Sequence, residues 1–179
     1  MIARASLLLA AALAPLPAMA ADACISVRSL VSPAVFARYP AKAVRGPWRP
    51  PDVRKGDARL FRTRLREDSR GSPDFAGRYK LVQIGCGAGT LCPAVVDKLS
   101  GQVIWAPQFR SVGWMFSDFQ GADDVERLTY RRNSRLLVVF GARNEDEATG
   151  GLSYYDWRGG KAHLVRFVPA ERLCAEEAK

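Results

Sequence analysis

The residues from Gly85 to Cys92 run Gly, Cys, Gly, Ala, Gly, Thr, Leu, Cys, and this stretch concentrates the residue types that do chemistry. Three readings follow. As a nucleophile, Cys86 would need a base and a residue to orient it, roles open to His163, the single histidine, and Asp156. As a backbone nest, the alternating glycines would turn successive N–H groups toward an anion. As a turn, Cys86 would close on Cys92 in a disulfide, the glycines permitting the tight path. The turn is preferred, because in an exported chain an oxidised Cys86 cannot attack anything. A cell-envelope hydrolase using Cys86, His163 and Asp156 is the alternative.

Other familiar machinery does not fit. The glycines lack the Gly-Lys-Ser/Thr ending of a phosphate loop and do not match the dinucleotide fingerprint. Four cysteines and one histidine offer no second pair at metal-ligand spacing beside Cys86 and Cys92. Asp123, Asp124 and Glu126 could be imagined as a glycosidase pair, but adjacent acids need not share a cleft and read as a solvated loop. Neither a Gly-x-Ser-x-Gly elbow nor a His-Glu-x-x-His pair occurs. The sequence therefore predicts no metal, no cofactor and no catalytic residue.

The start of the chain explains the preference for disulfides. Arg4, an apolar run of Leu and Ala from Leu7 to Leu13, and small residues at Ala18 and Ala20 describe a secretory signal over residues 1–20, with Pro15 and Pro17 keeping the cleavage region extended. The residues before Cys24 lack the aliphatic residue that a lipoprotein signal would need. A periplasmic or secreted product is expected. All four cysteines lie beyond the signal, and three pairings are conceivable. The short Gly-rich spacer favours Cys86 with Cys92, which leaves Cys24 with Cys174 near the two ends.

Charge is lopsided. The formal net charge is +9, and 14 basic against five acidic residues fall between Arg28 and Lys80, whereas the remainder to Lys179 is balanced. Residues 21–56 form a Pro/Arg-rich arm in which Pro33, Pro40, Pro47, Pro50 and Pro51 argue against helix or central strand. Val35, Phe36, Tyr39 and Trp48 would pin it to the surface. Asp57 then offers an N-cap, and Ala58, Phe61 and Leu65 recur at helical spacing until Gly71, placing Arg59, Arg62 and Arg66 together on the flank of one short amphipathic helix. Arg45, Arg49, Arg59, Arg62 and Arg66, with Trp48, are the candidate binding residues, because a guanidinium fork suits phosphate or carboxylate. Outside the cytoplasm nucleic acid is not the expected partner. Lipopolysaccharide phosphates, an anionic membrane surface or an acidic protein fit better.

From Tyr79 onward, short apolar runs alternate with turn signals, among them Gly159-Gly160 before His163. Residues 57–179 are expected to form one α+β domain, mainly an antiparallel β-meander of about six strands with the single helix on one face. The loop at 142–151 would carry an acidic tip at Glu145, Asp146 and Glu147, while Trp114, Phe116 and Phe119 would furnish an exposed contact patch.

Phe75-Ala76-Gly77 with Tyr79, Gly85-Cys86-Gly87, Cys92, Asn133 to Val139, and Tyr154-Tyr155 with Trp157 make a pattern that resembles a family of small exported bacterial proteins of unknown function, over roughly residues 60–168. The resemblance implies an exported β-rich domain and supplies no activity. The expectation from sequence is thus a disulfide-stabilised, non-enzymatic binding protein for an anionic envelope component or an acidic protein.

Overall fold

The computed structural model describes residues 24–113 and 125–174. The signal segment 1–20, Trp114, Phe116, Phe119, Asp123 and Asp124 lie outside the described residues. In chain order the elements are β1 (Ile25–Ser26), α1 (Val27–Leu30), α2 (Pro33–Ala37), α3 (Gly56–Leu60), α4 (Arg62–Asp68), β2 (Tyr79–Gly85), β3 (Leu91–Asp97), β4 (Val103–Ile104), β5 (Val112–Gly113), β6 (Leu128–Tyr130), β7 (Leu136–Phe140), β8 (Ala142–Arg143), β9 (Gly151–Arg158), β10 (Lys161–Pro169) and β11 (Leu173–Cys174).

The protein is mostly β, and alternation along the strands builds its layers. In β7, Leu137 and Val139 enter one core while Leu136, Val138 and Phe140 enter another. In β9, Tyr155 and Trp157 join the first core and Leu152 and Tyr154 the second. Strand β2 divides likewise: Tyr79 and Leu81 face the first core, Val82 and Ile84 a third. Two antiparallel sheets, one with the strand order β10-β9-β7-β6 and the other with β2-β3-β5-β8, therefore share the central core. Helices α1 and α2 cover the outer face of the first sheet, and α3 and α4 that of the second. The strands are thus divided between two sheets, with β4 pairing beside β3, rather than following a single meander. A third, two-stranded sheet pairs β1 with β11 in parallel.

Among the described residues, four short α-helices replace the one expected. Pro33 stands at the first position of α2, where its missing N–H has no helical partner to lose, so the proline that argued against helix here starts one. The pattern read as one helix from Asp57 breaks at Phe61 (φ −97°, ψ 21°). Asp57 is not the cap: Lys55 is, and Asp57 lies inside α3 and pairs with Arg110. The expected apolar stripe is present, with Ala58 and Leu65 buried and Phe61 partly so.

The arm is built into the fold. Val27, Leu30 and Phe36 are core residues. Farther along, the N–H groups of Ala41, Val44, Arg49 and Asp52 donate to the carbonyls of Asn133, Gly77, Lys98 and Gly101 at 2.7–3.1 Å. Gly77, at φ +81°, lets the arm cross, since a Cβ there would lie 2.2 Å from the Lys42 carbonyl oxygen. Disulfides join Cys24 to Cys174 and Cys86 to Cys92. Both glycines of the Gly159-Gly160 turn between β9 and β10 have positive φ, as a tight hairpin requires.

Candidate functional site

Three stretches meet where the arm crosses the end of the two large sheets. Ser134, at the turn before β7, donates from its hydroxyl to the carbonyls of Phe36 and Tyr39. Gly77 N–H donates to the Arg132 carbonyl at 2.7 Å, so the turn before β2 is held against the turn before β7. Trp157, at the end of β9, packs edge-on against Phe75 and Tyr79 with ring centroids 5.7 and 5.6 Å away. Between these pieces opens a groove of about 690 Å³, walled by Pro40 and Ala41 of the arm, Ala76, Tyr79 and Trp157, and edged by Lys42, Arg78, Arg135 and Arg158.

Its four cations are differently engaged. Asp156, 1% exposed, accepts from Arg135 Nε at 2.9 Å and from Arg158 Nε at 2.7 Å. Burial pushes the Asp156 carboxyl up, but the hydrogen bonds and charges of the two guanidinium groups outweigh it and hold the group below its ordinary value. Arg135 also reaches the Pro40 carbonyl at 2.7 Å, fastening the arm to the groove's edge. Arg78 donates to the Tyr79 hydroxyl at 3.0 Å and pairs with Asp97 at 2.9 Å. Lys42 is exposed. Two buried donors in this lining, Trp157 Nε1 and Arg78 Nε, have no hydrogen-bond partner among the described residues. Both atoms have almost no accessible surface, so they lie beneath the groove rather than on it.

The residues singled out from sequence lie elsewhere. Arg45 and Arg49 are exposed on the arm, Trp48 is half-buried, and Arg59, Arg62 and Arg66 are exposed on α3 and α4; none of them lines the groove. Arg78, Arg135, Arg158 and Trp157 are the residues that sequence reasoning did not select for binding. They were signposted all the same, since each lies within or beside a motif stretch: Arg78 between Gly77 and Tyr79, Arg135 after Asn133-Ser134, and Arg158 after Trp157.

The cysteine alternative finds its parts engaged. Cys86 is bridged to Cys92 at the exposed tip of the β2–β3 hairpin. His163 stands across from Asp156 in the β9–β10 register, but the Asp156 carboxylate is held by Arg135 and Arg158. Among the described residues no group of three or more His, Cys, Asp or Glu could hold a metal ion, and no helix is long and apolar enough to cross a membrane. The two disulfides point to an oxidising, non-cytoplasmic environment. Comparison with protein-family models, with curated proteins and with solved structures gives no match, so the geometry carries the functional reading.

Proposed function

We propose that this chain is an exported, periplasmic or secreted, disulfide-braced binding protein without a reaction centre, and that it takes an anionic component of the cell envelope in the groove between the arm and the two sheets. The observation that carries this reading is the gathering of Lys42, Arg78, Arg135 and Arg158 along one groove in which the carboxylates contacting them, Asp97 and Asp156, offset only half of their charge. The exposed arginines of the arm and of α3–α4 add a diffuse positive field that would speed the approach of such a ligand without fixing its position.

The test is a thermal-shift titration of the full chain, made in an oxidising compartment, against small and polymeric anions. A ligand at a hundred times its Kd stabilises the folded state by about 2.7 kcal/mol. A saturable rise in Tm is expected. It should fall at least tenfold in apparent affinity in Lys42→Gln/Arg158→Gln and persist in Arg59→Gln/Arg62→Gln/Arg66→Gln. Absence of any saturable anion, or a loss that follows the helix arginines instead, overturns the reading.

A further inference from the structure

We infer that the anion taken by the groove is a phosphomonoester, a terminal phosphate carrying two negative charges; the inference rests on the anion-binding reading above and narrows it. Charge balance is the first argument. Lys42, Arg78, Arg135 and Arg158 bring four positive charges to the groove, and the carboxylates in contact with them, Asp97 and Asp156, bring two negative ones. Two positive charges are left. A carboxylate or a phosphodiester would neutralise one of them, whereas a monoester phosphate, whose second pKa is about 6, neutralises both at neutral pH.

The arrangement of donors is the second argument. Bidentate recognition of a planar carboxylate needs an unoccupied guanidinium fork. Here the Nε and Nη2 edges of both Arg135 and Arg158 already face Asp156, and Arg135 Nη1 is spent on the Pro40 carbonyl. What the groove offers at exposed positions are single donors from separate side chains, the Arg158 Nη1 edge and the Lys42 ammonium. Such scattered single donors suit a terminal phosphate, which presents three strong acceptor oxygens in a pyramid, better than a flat two-oxygen acceptor. The groove is far larger than one phosphate, and its Pro40, Ala41 and Ala76 wall leaves room for the body of the ligand.

Calorimetric titration of the full chain at about pH 7.5 with methyl phosphate, dimethyl phosphate and acetate tests this. Methyl phosphate is expected to bind at least tenfold more tightly than the other two. Lys42→Gln/Arg158→Gln, at exposed positions, should bring the three ligands within a few-fold of one another. Equal binding of dimethyl phosphate or acetate overturns the monoester assignment while leaving anion binding intact; no binding of any anion overturns both. Phosphatidylcholine vesicles doped with phosphatidic acid or with phosphatidylglycerol identify the source. Retention on phosphatidic acid alone, competed by methyl phosphate, assigns a lipid headgroup, and methyl phosphate binding without vesicle retention assigns a soluble monoester. Equal retention on phosphatidylglycerol counts against the inference.

Discussion

Tyr154 shows how much one side chain can tie together. Its ring lies in the core between the first sheet and the α1–α2 layer, and its hydroxyl donates to the Leu30 carbonyl at 3.1 Å. Burial pushes its pKa up to about 12, with the Arg166 charge over the ring acting the other way. A hydroxyl raised above its ordinary value near 10 contributes stability that is fully present below about pH 10 and is lost as the pH climbs toward about 12, because the unfolded chain ionises first. Tyr154→Phe removes the donor and the titration together. Urea unfolding at pH 7 is expected to show a loss of about 1–2 kcal/mol, and the alkaline decline should be shallower in the variant than in the parent. Parallel declines would mean that another group titrates. Tyr154, Tyr155 and Trp157 are core aromatics, the usual place for bulky apolar residues in a strand run. The sequence could not show that the Trp157 N–H lacks an acceptor among the described residues, since that depends on what separate segments bring near it.

The strands were the most legible elements. A strand buried on both faces reads as an unbroken apolar run, and Leu136–Phe140 is one; the paired glycines at 159 and 160 supply positive φ at both turn positions of the hairpin. Helices were less so, because the argument from proline overlooked the first turn of α2, and the periodicity from Ala58 to Leu65 does not reveal that the chain changes direction at Phe61. The arm's seating was invisible for a related reason: its contacts are backbone hydrogen bonds to turns far along the chain, and backbone groups leave no trace in residue type. Gly77 makes that seating testable. Gly77→Ala combines an unfavourable positive φ with a collision against the Lys42 carbonyl, and we expect it to cost about 2–4 kcal/mol and to weaken anion binding by displacing the arm. Gly71→Ala, at φ +78° but with open space around its Cβ position, should cost about 1 kcal/mol and leave binding unchanged. Equal losses by urea unfolding would mean that the arm does not rest on the turn at Gly77.

At the scale of the whole molecule, the linear charge distribution pointed to the arm and the α3–α4 arginines, yet the groove gathers cations from positions 42, 78, 135 and 158, which no local window of sequence contains. The disulfides, by contrast, could be argued from spacing, and the same spacing predicts how unequally they act. Cys86 and Cys92 are separated by six positions and close a short hairpin, while Cys24 and Cys174 are separated by 150 and join β1 to β11 across nearly the whole described chain. On the chain-entropy account the short loop stabilises by about 2 kcal/mol and the long one by about 5, because the longer bridge removes more freedom from the unfolded chain. The arm's own contacts, with Val27, Leu30 and Phe36 in the core, act on the folded side and are expected to persist without the terminal bridge. Cys24→Ser/Cys174→Ser should therefore remain folded and retain its anion binding, but lower the midpoint of urea unfolding clearly more than Cys86→Ser/Cys92→Ser does. An equal or smaller loss from the terminal pair would show that the ends are already constrained in the unfolded chain, and that the packed arm, rather than the bridge, closes the molecule.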